Sequence, residues 1–334
     1  MPRYGFNFQW LYNVDGAPCA AGPDERALDF LAEHGFNFVR LPTDYRFWTR
    51  GGDYGEADGA VLSAIDRCVD ACAARGMQLS LNLHRAPGYC INRNDLERHD
   101  LWTDREAQDA FVLMWERFAR RYRGRPNEAL SFDLLNEPPG EGSPDFPTFT
   151  RAAHEAVMRR TVAAIRAIDP AREIVVDGLG GGNVPMPELA DLGLVQSCRG
   201  YAPFTLTHYR ASWAKGSDAW SEPAWPHVEK GKRWDRDELR RFYEPWRALE
   251  RQGVRVHVGE FGCFNRTPNA VALAWFEDLL SLYREFGWGY ALWGFDYSFG
   301  IVDHGRPGTI YEAYKDYRLD RALFELYLAG RVGG

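Results

Sequence analysis

Ser131-Phe132-Asp133-Leu134-Leu135-Asn136-Glu137-Pro138-Pro139 is an apolar, alternating run that stops abruptly at an amide, a carboxylate and two prolines. Such a run reads as a buried strand whose last residues emerge into an open site. Side chains alternate along a strand, so Leu130, Phe132 and Leu134 share one face, and Ser131, Asp133, Leu135 and Glu137 the other. Taken alone, Glu137 has two readings: a reactive carboxylate at the mouth of a strand, or a structural one that caps or pairs. A second carboxylate in matching context decides between them.

Outward from this stretch, the same unit recurs along the chain. Short apolar runs begin at Tyr4, Phe36, Met77, Leu130, Glu173, Leu194, Val254 and Gly289, each followed by a loop and a helical stretch. Eight repeats of strand and helix predict a parallel sheet closed into a (β/α)8 TIM barrel. Helices are expected over residues 24–34, 59–75, 104–123, from Pro147 to 168, 235–251, 267–286 and 311–328. In the third run, leucines 79, 81 and 83 face one way and Gln78, Ser80, Asn82 and His84 the other. The leucines would pack on helices and the polar file would point inward, leading to His84 at the C-terminal rim. That histidine is either structural or part of a site.

At 334 residues the chain has the length of one such barrel, a fold that typically takes about 250 residues and tolerates insertions. The prediction is a single catalytic domain, residues 1–334, with a long aromatic-rich loop at 202–234. That loop holds Phe204, His208, Tyr209, Trp213, Trp220, Trp225 and Trp234. Loops of this length inside a compact domain are usually functional, so it reads as a wall of a binding site, or else as a flap over a barrel edge. With Trp 12, Tyr 16 and Phe 20, flat rings are available to a sugar- or base-binding cleft.

The net charge of −7 excludes a strongly basic surface of the kind nucleic acid requires. The run Arg120-Arg121-Tyr122-Arg123-Gly124-Arg125 closes an amphipathic helix, where cations suit the negative end of the dipole, and reads as a solvated helix end. Cys19, Cys68, Cys72, Cys90, Cys198 and Cys263 show no paired ligand spacing, and Cys68 and Cys72 read as two small buried residues one helical turn apart. No secretory h-region or membrane span follows Met1. The expectation is a cytoplasmic protein with reduced thiols, or a secreted one whose leader has been removed, without membrane, metal or organic cofactor.

Glu260 closes run seven, Val254 to Gly262, as Glu137 closes run four. The barrel brings the ends of its strands to the face where active sites of this fold lie. Two carboxylates there are what glycoside hydrolysis needs: one holds a proton for the leaving oxygen, and the other, ionised, attacks the anomeric carbon or activates water at it.

The motifs Leu134-Leu135-Asn136-Glu137-Pro138 and Val258-Gly259-Glu260-Phe261-Gly262, with Val39-Arg40-Leu41-Pro42, Asn82-Leu83-His84 and Leu292-Trp293, resemble glycoside hydrolase family 5, the cellulase-like members of clan A. The resemblance covers essentially the whole chain, in order. It implies that Glu137 is the general acid/base and Glu260 the nucleophile of a retaining mechanism, which places carboxyl groups about 5–5.5 Å apart. It further implies that Arg40 hydrogen-bonds Glu260 and keeps it ionised, that Asn136 and His84 bind sugar hydroxyls, and that Trp293 stacks under the ring.

On the sixth strand the family usually shows His-x-Tyr, whereas this chain has Arg199-Gly200-Tyr201. Tyr201 can keep its contact with the nucleophile. Arg199 either turns away to a structural carboxylate or marks a substrate of different polarity, and His208 either restores an imidazole to the site or is a packed loop residue. The resulting expectation is a retaining hydrolase of gluco- or manno-configured β-linked oligosaccharides or glycosides, exo-acting or taking short substrates. The rivals are an endo-acting glucanase or mannanase and a carbohydrate-binding barrel without turnover.

Overall fold

The computed structural model describes residues 1–12, 22–49 and 53–332. Cys19 and Gly51-Gly52 of the loop after the second run lie outside the described residues. In chain order the elements are β1 (Tyr4–Asn7), α1 (Glu25–Glu33), β2 (Phe38–Asp44), α2 (Gly59–Ala73), β3 (Gln78–Arg85), α3 (Arg105–Arg121), β4 (Leu130–Asp133), α4 (Arg151–Ile168) and β5 (Ile174–Asp177). They continue with the single turn α5 (Leu179–Gly182), β6 (Val195–Gly200), the single turn α6 (Phe204–Thr207), a hairpin of β7 (His227–Glu229) and β8 (Lys232–Trp234), α7 (Arg236–Glu250), β9 (Arg255–Phe261), α8 (Asn269–Phe286) and β10 (Gly289–Leu292). A second hairpin, β11 (Tyr311–Tyr314) and β12 (Tyr317–Asp320), precedes α9 (Arg321–Ala329). Hydrogen-bonded neighbours run β1-β10-β9-β6-β5-β4-β3-β2 and close, which is the (β/α)8 barrel order.

Three expectations change. Residues 311–328 were expected as one helix, but the first half is the β11–β12 hairpin. Tyr311, Tyr314 and Tyr317 favour strands, Lys315 takes the left-handed conformation of the tight turn (φ 51°), and Asp320 starts the helix only then by accepting from the Leu323 N–H at 3.1 Å. The loop at 202–234 is not without structure, since it holds α6 and the β7–β8 hairpin. Finally, β4 ends at Asp133. Strand alternation therefore does not reach Glu137, whose backbone is itself left-handed (φ 46°).

Contacts group the chain into two units. In the unit formed by Phe8–Cys198 and Leu249–Val256, β2, β3 and β4 pair in parallel, with Arg40 opposite Ser80 and Asn82 opposite Asp133. Leu79, Leu81 and Leu83 are fully buried, and the polar file bonds across the sheet: Gln78 donates to Glu173 at 3.1 Å and Asn82 to the Asp133 carbonyl at 3.3 Å. The aromatic stripe of α3 is core, as its spacing implies. Trp115 lies 5.2 Å from Phe132 and donates its indole N–H to the Leu134 carbonyl at 3.2 Å. The arginine run that follows is a helix end tied to α2, with Arg121 on Asp66 and Arg125 on Asp70. Cys68 and Cys72 are buried on α2, and burial pushes the Cys68 thiol up to about 12.

In the unit formed by Met1–Asn7, Arg199–Ala248 and His257–Gly334, β1 pairs with β10 and β10 with β9. The C-terminal helix completes this packing. Tyr327 stacks on Phe261 with centroids 5.8 Å apart, and its hydroxyl accepts from the Leu292 N–H and donates to the Gly5 carbonyl. Gly289 must lack a side chain because a Cβ there would collide with the backbone of Arg3.

Candidate active site

Glu137 lies beyond the end of β4 in the Asn136-Glu137-Pro138-Pro139 turn, and two contacts fix its backbone. Its N–H donates to Asp177 Oδ2 at 3.0 Å, and its carbonyl accepts from the Tyr89 hydroxyl at 2.5 Å. Asp177 closes β5, so a strand-end carboxylate secures the left-handed turn that a non-glycine residue adopts only under such constraint. The Glu137 side chain itself is partly exposed.

Beneath this turn is a buried ion network. Arg40 of β2 donates through Nε to Asp133 Oδ2 at 2.6 Å, through Nη2 to Asn136 Oδ1 at 3.0 Å, and approaches Asp177 Oδ2 at 3.5 Å. Arg40, Asp133 and Asp177 are each 1% exposed, so each charge depends on its partners rather than on water. Because Arg40 holds the amide oxygen of Asn136, the amide nitrogen is left toward His84 Nε2, 3.4 Å away. The imidazole is packed against Tyr12, with ring centroids 4.1 Å apart. Arg40, His84 and Asn136, three residues expected around a sugar, are thus joined by one network, and both ends of the Asn136 amide take part in it.

The second cluster forms around Glu260, the penultimate residue of β9. Its side chain is nearly buried, at 4% exposure. Arg199 Nη2 lies 3.2 Å from Oε1, and the Tyr201 hydroxyl donates to Oε2 at 3.1 Å. Arg199 therefore reaches the carboxylate of Glu260 itself. Between the two donors, Gly200 passes so close to Tyr283 and Phe261 that no Cβ fits. The Arg199 carbonyl accepts from Tyr243 of α7 at 3.0 Å, and Tyr243 in turn contacts the Tyr283 hydroxyl at 2.8 Å. Two helices thereby set the height of the β6 end.

Tyr201 has an aromatic surround. His208 meets it edge-on at 5.2 Å, Phe204 stacks on His208 at 4.0 Å, and Trp213 reaches Phe264 at 4.9 Å. His208 is buried, its Nδ1 is 3.0 Å from the Thr207 hydroxyl, and burial pushes its pKa down to about 3. It is a neutral residue behind Tyr201 rather than a second cation at the carboxylate. Phe204 and Trp213 are 46% and 56% exposed, so these two rings are open to a ligand. Trp293 follows β10, donates its backbone N–H to the Phe261 carbonyl at 2.8 Å and leaves its side chain partly exposed.

Sequence reading missed Asp177 and Tyr89, and gave Asp133 a face but no task. Asp177 had a signal, an acidic residue at the end of an apolar run. Tyr89 had none, because it lies in an irregular loop. Among the described residues no group of three or more His, Cys, Asp or Glu side chains is arranged to hold a metal ion, and no helix is long and apolar enough to cross a membrane.

Comparison with known proteins bears on what these clusters do. Residues 3–298 match the family model described as Cellulase (glycosyl hydrolase family 5). Endoglucanase C of Acetivibrio thermocellus is 29% identical over 299 residues, covering 81% of this chain and 83% of that protein. Cellodextrinase A of Ruminococcus flavefaciens is 24% identical, covering 79% and 75%. A crystal structure of a glycoside hydrolase superposes with a TM-score of 0.95 at 57% identity, covering 99% of this chain and all of that one. Endoglucanase Cel5A of Thermotoga maritima, at 20% identity and covering 97% and 96%, shares the fold with a TM-score of 0.77.

Proposed function

Since this chain belongs to the cellulase family, glycosyl hydrolase family 5, and is therefore a glycoside hydrolase, we propose that Glu137 and Glu260 act together on one β-glycosidic bond with retention of configuration. In the first step Glu260 attacks the anomeric carbon while Glu137 gives its proton to the departing oxygen. In the second, water attacks the same carbon, Glu137 takes the water's proton, and the bonding pair returns to Glu260. The observation that carries this assignment is the anchoring of Glu260 at both oxygens, by Arg199 at 3.2 Å and Tyr201 at 3.1 Å. A carboxylate so held is oriented, as a nucleophile must be. Glu137, on a turn fixed through its backbone, supplies the carboxyl that exchanges protons.

Arg40 and His84 then act through Asn136, which they orient toward the hydroxyl beside the anomeric carbon. Trp293 offers a ring face to the sugar, and Phe204 and Trp213 line the wall beyond Tyr201. The substrate is a short gluco- or manno-configured β-linked oligosaccharide or glycoside, met by the wall that the 202–234 segment builds. The endoglucanase names of several relatives favour a second reading, internal cleavage of a polymer.

Glu260→Gly tests the mechanism. The variant loses nearly all turnover and regains it with azide, releasing a glycosyl azide of inverted configuration; near-full activity without azide refutes the assignment. Product analysis on a panel of aryl β-glycosides, oligosaccharides and soluble glucan decides the rest. Single units or disaccharides released from chain ends support the short-substrate reading, whereas random internal cuts in the polymer overturn it.

A further inference from the structure

We propose that Arg199 accelerates the breakdown of the glycosyl-enzyme by making Glu260 a better leaving group, an inference that rests on Glu260 being the nucleophile. In that second step a water oxygen attacks the anomeric carbon and the ester bond to Glu260 breaks. The water's proton goes to Glu137, and the electron pair of the broken bond becomes the Glu260 carboxylate. Whatever stabilises that returning negative charge speeds the step.

Arg199 is built for this. Its side chain is fully buried and its Nη2 is 3.2 Å from Oε1, on a carboxylate only 4% exposed, so little water competes with the pair. Tyr201 supplies a neutral donor at 3.1 Å to the other oxygen. A guanidinium adds a full positive charge opposite the carboxylate, which a neutral hydroxyl does not. The histidine that the resemblance leads one to expect here loses its proton within the working pH range, whereas an arginine does not. Arg199 is a positioning residue, and its place is fixed by the Tyr243 bond to its carbonyl and by Gly200, where only glycine fits.

The two chemical steps respond unequally. Forming the covalent bond consumes the charge that Arg199 stabilises, so losing the cation costs that step less, the lost orientation being offset by a carboxylate readier to give up its charge. Breaking the bond restores the charge, so losing the cation slows it. With a dinitrophenyl β-glycoside, whose leaving group makes the first step fast, kcat reports breakdown and kcat/KM reports formation.

In the full-length enzyme, Arg199→Gln should lower kcat on the dinitrophenyl substrate on the order of tenfold, the loss expected for one hydrogen bond to a charged group. KM should fall with it, so that kcat/KM changes much less, and acid-quenched samples should show the covalent glycosyl-enzyme by mass. Arg199→Lys, which keeps the charge, should recover most of the kcat. Where Arg199→Gln does not fold, Arg199→His carries the same comparison, with kcat recovering as the pH is lowered and the imidazole gains its charge. Parallel loss of kcat and kcat/KM without an accumulated intermediate overturns the role of Arg199. Failure of azide to rescue Glu260→Gly overturns the reading of Glu260 on which that role rests, and the two failures are seen in separate experiments.

Discussion

His154→Phe should make the protein more tolerant of acid. The imidazole lies on α4, 1% exposed, between Trp102 at 5.9 Å and Phe149 at 6.1 Å, and neither ring nitrogen has a hydrogen-bond partner among the described residues. Burial, with the Arg151 charge as the lesser cause, pushes its pKa down from 6.5 to about 3. The unfolded chain takes up this proton near its ordinary pKa, whereas the folded chain refuses it until about 3. Stability is therefore complete above that ordinary value and falls as the pH drops toward 3. At a pH near 5, about 1.5 units below the unfolded value and at 1.36 kcal/mol per unit, the loss is about 2 kcal/mol for this residue. His208, also pushed down to about 3 by burial, adds a loss of the same sign. Urea unfolding of both proteins near pH 7 and near pH 5 should show the variant losing about 2 kcal/mol less than the parent between the two. The aromatic replacement fills the same slot and removes two unpaired buried nitrogens, so it should not destabilise at neutral pH. Equal losses in the two proteins would mean that His154 is charged in the folded state, and the reasoning would fail.

Arg40→Leu should cost about 3–5 kcal/mol in unfolding experiments, because it leaves the carboxylates of Asp133 and Asp177 buried without their cation. Adding Asp133→Asn should recover part of that loss, and strict additivity in the double-mutant cycle would show that the 2.6 Å pair is not coupled. Trp213→Ala should raise KM on tri- and tetrasaccharides by roughly threefold to tenfold, the equivalent of one lost ring contact, while leaving small aryl glycosides unaffected. An equal change on both substrate classes would remove the ring from the wall of the site.

The barrel was legible because its signals are local and repeated. Val39, Leu81, Phe132 and Val258 each belong to an apolar run bounded by turn residues, and the helices between them announce themselves through periodicity, as Phe111, Trp115 and Phe118 do on α3. What failed was phase at the ends. Glu137 was assigned an orientation by continuing the alternation of β4 past Asp133, yet three residues of irregular backbone intervene. The actual constraint, Asp177 accepting from its N–H, comes from a neighbouring strand. The tyrosines at 311, 314 and 317 have helical spacing as well as strand propensity, and only the turn at Lys315 distinguishes the two.

The cation beside Glu260 was more legible than it first looks. Arg199 is the penultimate residue of β6 and Tyr201 the first residue beyond it; where the chain stays extended, residues two apart share a face. If Tyr201 reaches Glu260, an arginine two residues earlier has its guanidinium on the same side, with enough length to reach the same carboxylate. The structure shows that the arginine meets Glu260. What it leaves open is the consequence, because a buried cation both steadies the ionised nucleophile and makes it slower to give up its charge. Those opposing effects separate only in the rates of forming and breaking the covalent bond, and the Arg199 variants are compared on that ground.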